Sequence, residues 1–372
     1  MPRSAPAGAG PNRRTPALPG LAIVAACALA AAASCAGGGG EQPSPGNRAA
    51  GSPDAPPVGS GKPVTLVFAG DTAVRGVSED LQADDPASVF GPAAELLRDA
   101  DLALLNLETA VTNGGGAPLD KAFTFATGPE VFDSLRAAGV DGVTMANNHG
   151  VDYGPAGLAE TLDIIDEDGF PVMGIGRDES AAYAPAMYRV NGQRIGVIGA
   201  TEVIDSQLVD SWTATDVQPG LASAKRVDRL IEAVRAARRQ ADTVVVFIHW
   251  GEQYVPCPTD TQVELAPRLV EAGADIVVGG HQHRVAAAGF LGDGLVSYGL
   301  GNFLFPPSTP AAGHSGVLEV TVTGRRIDDY RWRPAVINDL NQPVPATDKA
   351  AAGLMKEWEA LRSCTNLAAE RG

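Results

Sequence analysis

Seven short apolar runs, separated by amphipathic stretches, organise the chain from residue 63 onward: residues 64–68, 102–105, 142–145, 172–175, 195–198, 244–248 and 276–278. Each run is continuous and rich in β-branched residues, which fits strands covered on both faces. Between them, residues 92–100, 129–139, 156–169, 224–240 and 262–273 carry a helical period, and several of these stretches close on Gly, as a C-terminal cap would. Strands alternating with helices predict βαβ units and a mainly parallel sheet. After residue 283 the rhythm changes. Residues 285–290, 295–298, 317–323 and 328–332 read as strands with no helices between them. They predict a second, more antiparallel sheet packed on the first. Residues 349–362 predict a terminal helix, and no internal repeat is visible.

The first 62 residues follow no such pattern. Arg3, Arg13 and Arg14 precede an apolar run at residues 21–33. That run is shorter than the roughly 20 residues a spanning helix needs, so it reads as the core of an export signal. Arg13-Arg14 fits either a twin-arginine signal or ordinary charge ahead of the apolar core. The run ends in Ala32-Ala33-Ser34-Cys35, small residues just before a cysteine. This resembles the bacterial lipobox, in which the cysteine is lipidated and becomes the mature N-terminus. Ala32 stands where that motif usually has Leu, which leaves plain cleavage after an A-x-A site open. Residues 36–62 are dominated by Gly, Pro and Ser and read as a flexible tether. The expected organisation is therefore a lipoprotein-type signal at 1–35, a tether at 36–62, one domain at 63–340 and a C-terminal helical extension at 341–372. The expected location is the outer face of the cytoplasmic membrane, held by a lipid anchor.

Charge narrows the partners. The formal net charge is -16, so nucleic acid and anionic lipid surfaces are poor partners. It says little about a small anionic substrate, because a bound metal reverses the local field. Of four cysteines, Cys27 and Cys35 lie in the signal, leaving Cys257 and Cys364. An oxidising compartment makes a disulfide between these two a candidate, and the sequence leaves the pairing open.

The chemistry-bearing residues cluster just after the apolar runs: Asp71; Asn106 and Glu108; Asn147, Asn148 and His149; His249; His281 and His283. In a parallel α/β sheet the carboxyl ends of the strands share one edge, where ligands bind. Four of the five histidines sit at such ends; His314 reads instead as a solvent-facing loop residue. Imidazole with carboxylate suits Mn, Fe or Zn better than an all-oxygen site would. In His281-Gln282-His283 two imidazoles two residues apart diverge on an extended chain, so one can serve each of two adjacent metals. Gly279 and Gly280 let the backbone approach closely. Two metals about 3.5–4 Å apart clamp a phosphate ester and activate a water.

The ordered series G-D, N-L-E, N-N-H, H-W-G and G-G-H-Q-H resembles the calcineurin-like metallophosphoesterase superfamily, and within it the bacterial CapA family, named for poly-γ-glutamate capsule synthesis. Asp152-Tyr153-Gly154 and the run from Tyr298 to Phe303 extend the resemblance, which spans roughly residues 64 to 305. It implies a layered α-β-β-α sandwich of two packed mixed sheets. It also implies that Asp71, Glu108 and His283 hold one divalent metal, and that Glu108, Asn148, His249 and His281 hold the other, with Glu108 bridging. His149 is left as general acid, oriented by Asp152. Arg75 is a candidate for an anionic substrate group. Asn106, Asn147, Glu252 and Asn302 are candidates to touch ligands or substrate, and Trp250 and Tyr254 to pack on substrate or core. The chain departs from the wider superfamily pattern Asp-x-His, because Thr72 and Ala73 follow Asp71, and it has Glu108 where Asp is usual.

Two functions from different classes remain. One is a cell-surface di-metal hydrolase of a phosphoester or a γ-glutamyl amide. The other is a capsule or envelope assembly component that binds an anionic polymer, or capsule-synthesis membrane proteins, without turnover. A third, a solute binder with a similar α/β rhythm, would not need this many metal-type ligands.

Overall fold

The computed structural model describes residues 59–372. The segment expected to be an export signal, with Cys27 and Cys35, and most of the expected tether fall on residues 1–58 and lie outside the described residues. The first sheet contains β1 (Val64–Thr72), β2 (Leu102–Leu107), β3 (Gly142–Thr144) and β4 (Val172–Met173). The second contains β5 (Ala186–Val190), β6 (Gln193–Thr201), β7 (Thr243–His249), β8 (Ile276–Gly280), β9 (Ala288–Leu291) and β10 (Gly294–Ser297). The chain then returns to the first sheet with β11 (Asn302–Leu304), β12 (His314–Thr323), β13 (Arg326–Ile337) and β14 (Pro343–Pro345). The strand order is β14-β13-β12-β1-β2-β3-β4 in the first sheet, with β11 also on β1, and β9-β10-β8-β7-β6-β5 in the second. The pairs β1–β2–β3–β4 and β6–β7–β8–β10 are parallel, while β12, β13 and β14 pair antiparallel.

Alternation along each strand explains why the apolar runs are continuous. Leu66 and Phe68 of β1 join Val245 and Phe247 of β7 in a core between the two sheets. Their neighbours Val67 and Ala69 face a second core, with α1 (Val77–Asp84), α2 (Ala94–Arg98), α3 (Val131–Ala138) and α4 (Gly154–Asp168) against the first sheet. Val244, Val246 and Ile248 face a third, under α5 (Val227–Arg238) and α6 (Asp260–Ala272). Successive side chains of a strand point to opposite faces, so a strand sandwiched between two cores is apolar at every position. The result is a mixed α/β fold of four layers, helix–sheet–sheet–helix. Helices α3, α4 and α6 each end on a glycine in the left-handed region, Gly139, Gly169 and Gly273.

The structure corrects three expectations. The strands after residue 283 do not build a sheet of their own: β9 and β10 extend the second sheet, and β12–β14 extend the first beside β1. The residue 172–175 run is not one strand. It breaks at Gly174, at φ 83, and Ile175–Gly176 turns away to pair with Gly220–Leu221. The chain also crosses residue 340 without a structural break. Beyond it, β14 pairs with β13, and Trp358 of the last helix, α7 (Asp348–Ala360), is buried in the core between the sheets. Strand β5 has no counterpart in the apolar pattern, because it is a half-exposed edge.

Candidate metal centre

The carboxyl ends of parallel strands from both sheets meet at one place. Asp71 closes β1, Glu108 follows β2, Asn147 to His149 follow β3, His249 closes β7, and His281 and His283 follow β8. A register break in the β1–β2 pairing between Ala69 and Asp71 aims Asp71 at this point. Gly280 makes the closeness possible, since a Cβ there would lie 2.6 Å from Asp71 Oδ1 and 3.2 Å from His249 Nδ1.

Two groups of ligand-type side chains result, Glu108 with His249 and His281, and Asp71 with Glu108 and His283. In each, one donor atom per residue lies within 4.8 Å of the others, and Glu108 belongs to both. Asn148 Oδ1 lies 2.8 Å from His249 Nε2, beside the first group. His283 Nδ1 lies 2.8 Å from Asn302 Oδ1 and 3.4 Å from Asp71 Oδ2. Asp71 accepts hydrogen bonds from the Asn106 side chain (2.8 Å) and from the His281 backbone N–H (3.0 Å). Asn147 donates to Asn106 Oδ1 at 2.9 Å and accepts from the His149 backbone. Asn106, Asn147 and Asn302 are thus buried among the ligand-type residues and orient them.

His281 and His283 do not diverge along an extended chain. Both have left-handed backbone angles, φ 89 and φ 50, which turn their rings toward the centre, 6.2 Å apart. Non-glycine residues in this region carry strain that persists where the surrounding structure demands it. Gln282 between them instead bonds the Val255 carbonyl at 2.7 Å.

The electrostatics fit a cation. Both Glu108 oxygens and His281 Nδ1 are buried without a hydrogen-bond partner. An unpaired buried polar group costs about 1–3 kcal/mol, more if charged, and divalent ions at the two groups would give these atoms partners. Burial, reinforced by the Glu108 charge, raises the Asp71 carboxyl. Burial alone would raise Glu108 too, but the imidazoles of His283 and His249 outweigh it and hold that carboxyl down. Burial and the neighbouring His249 push His281 well below its usual value, so it stays neutral with a lone pair to offer. Carboxylate, amide and neutral imidazole donors together suit a first-row divalent metal.

His149 stands beside the two groups. Its Nδ1 lies 2.6 Å from Asp152 Oδ2, and its Nε2 is 4.0 Å from Glu108 Oε1. Three neighbours had no signal in the sequence pattern, because they sit in loops without period. Phe125 stacks on the His149 ring at 3.9 Å, Lys121 reaches Asp152, and Phe305 lies 4.7 Å from the His283 ring. Arg75 lies over Phe125 at 4.3 Å. Glu252 is exposed at the rim of a cavity of about 380 Å³, lined also by Lys121, Asn148, Trp212 and His281. Trp250 is a core residue, whereas Tyr254 is exposed, 6.1 Å from the His283 ring. His314 starts β12 and faces Glu357 at 3.6 Å, away from these groups. Cys257 and Cys364 are joined as a disulfide.

The model of the family described as "Bacterial capsule synthesis protein PGA_cap" matches residues 65–307. The chain is 29% identical to the PGA biosynthesis protein CapA of Bacillus subtilis (strain 168), over 78% of this chain and 74% of that one. It is 31% identical to the capsule biosynthesis protein CapA of Bacillus anthracis, over 65% of this chain and 60% of that one. Among solved structures, a novel phosphatase from Mycoplasma pneumoniae aligns over 74% of this chain and 94% of its own, at 15% identity and TM-score 0.46.

Proposed function

The chain belongs to the bacterial capsule synthesis protein (PGA_cap) family, and from that premise we propose that it is an exported, lipid-anchored envelope protein whose two ligand groups hold a pair of divalent metals. The pair serves metal-assisted hydrolysis in the synthesis or processing of a capsule polymer, poly-γ-glutamate by family analogy. The bond cut is a phosphoester or a γ-glutamyl amide. One observation carries the metal pair: a fully buried carboxylate, Glu108, with both oxygens unpartnered and shared by two groups. Asp71 and His283 complete one group, and His249, His281 and the Asn148 side chain the other. Bound there, the metals supply Lewis-acid polarisation of the scissile group and an activated water. His149 supplies the proton. Asp152 fixes its Nδ1, which leaves Nε2 directed at the centre to donate to the leaving group. Arg75, free of any carboxylate partner among the described residues, is placed to attract an anionic group.

A second reading, a polymer-binding assembly component without turnover, is favoured by Ala73. The superfamily's imidazole two residues after Asp71 is replaced there by a buried methyl. The purified protein, reconstituted with Mn, is assayed for bound metal and for turnover of phosphomonoesters, phosphodiesters and poly-γ-glutamate. The hydrolase reading expects turnover that His149→Ala reduces by about 10²–10⁴-fold with metal retained. Two bound metals without turnover on any substrate favour assembly. No metal taken up on reconstitution overturns the site. Cys35→Ala tests the anchor, and a variant still held in the membrane fraction refutes it.

A further inference from the structure

The geometry points to Lys121 as a positioning residue for His149, acting through Asp152; this rests on reading His149 as the proton donor. Asp152 is fully buried and accepts from three donors: His149 Nδ1 at 2.6 Å, the Phe125 backbone N–H at 2.7 Å and Lys121 Nζ at 2.5 Å. Lys121 Nζ also donates to the Asn148 backbone carbonyl. One ammonium therefore ties the carboxylate behind His149 to the peptide just ahead of it. The carboxylate is divided, with Oδ1 on Lys121 and Oδ2 on His149 and Phe125.

Structure alone gives little reason for a lysine here. Buried ion pairs are weak contributors to stability compared with apolar packing, and the Lys121 side chain is only 13% exposed. It also lines the cavity that opens on His281 and Asn148, with its ammonium 4.8 Å over the Trp212 ring. The same loop sets the face of the imidazole, through Phe125 stacked on it at an interplanar angle of 18°. The ring is thus held at its edge by Asp152 and on its face by Phe125. Without Lys121, Asp152 Oδ1 has no partner and the carboxylate is held through Oδ2 alone, which loosens its grip on the His149 ring.

The test uses the full chain with Lys121→Met and Lys121→Arg. In the Mn-loaded protein, Lys121→Met should lower kcat on bis(4-nitrophenyl) phosphate by about 10–100-fold, as loss of an orienting partner does. KM and bound Mn should hold, and Lys121→Arg should restore much of the rate. In the metal-free protein, the His149 Nδ1–H proton resonance, identified by its loss in His149→Gln, should be visible in wild type and in Lys121→Arg. It should vanish into solvent exchange in Lys121→Met while thermal unfolding stays cooperative. A Lys121→Met protein with unchanged kcat and an unchanged resonance overturns the assignment. So does a rise in KM alone, which would make Lys121 a substrate contact. If wild type turns over no phosphoester, the hydrolase reading fails, and the resonance still decides whether Lys121 holds the ring.

Discussion

Glu108→Gln should cost stability without metal, and more with it. The carboxylate is fully buried, and imidazole nitrogens of His249, His283 and His149 stand 3.5, 3.9 and 4.0 Å from Oε1 without closing a hydrogen bond. In metal-free protein the imidazoles of His283 and His249 hold the carboxyl in its charged form, and the amide keeps the shape but loses that attraction. It should therefore destabilise the fold by about 1–3 kcal/mol, the range for a buried polar group that loses its partner. For a chain of this size that lowers Tm by about 2 °C per kcal/mol. With metal the gap widens. A site occupied at a hundred times its Kd adds about 2.7 kcal/mol, so two sites add about 5 kcal/mol to wild type. Glu108 belongs to both groups, so the variant should lose most of that gain. Calorimetric Tm on chelated protein and across a Mn titration measures both halves, with elemental analysis after dialysis giving the stoichiometry. A variant that binds Mn as wild type does, or that is at least as stable as wild type when both are metal-free, refutes the reasoning.

Metal-free protein should lose stability as the pH falls from neutrality. Burial holds the His281 imidazole well below the ordinary histidine value of about 6.5, so the unfolded chain takes up the proton first. The loss begins near that value and amounts to at most about 1.4 kcal/mol per pH unit; equal pH slopes in wild type and His281→Asn would contradict it. Gly280→Ala places a methyl against Asp71 and His249. It should cost about 1–3 kcal/mol and weaken metal binding, and a variant with wild-type Mn affinity would refute the close-approach argument. The disulfide Cys257–Cys364 closes a separation of 107 residues. Cys257→Ser with Cys364→Ser should cost about 2–5 kcal/mol, read as the Tm difference from oxidised wild type; no difference counts against it.

How much of this was legible in the sequence follows from which information is local. Polar residues just after buried strands are visible as pattern breaks, and parallel strands bring such ends together whatever the strand order. Asp71, Glu108, Asn148, His249, His281 and His283 could therefore be picked out one strand at a time. The assignment of strands to two facing sheets is not local. Residues 317–322 pair with β1, more than two hundred residues earlier, and nothing in their period says so. The same limit hid the loop residues. Lys121 and Phe125 lie in an aperiodic stretch, and only the folded chain brings them to Asp152 and His149. The backbone at His281 and His283 was misread for a different reason. Two imidazoles on an extended chain give no means of facing one centre, whereas left-handed angles at both residues do. Such angles at non-glycine residues persist only where the fold over-determines them. Here the hydrogen bond from the His281 N–H to Asp71 and the Gln282 side chain on Val255 supply that constraint. The strained backbone and the unpartnered Glu108 oxygens then have a common cause, a fold shaped to aim ligand atoms at one point, and loading with metal should satisfy the oxygens both groups share.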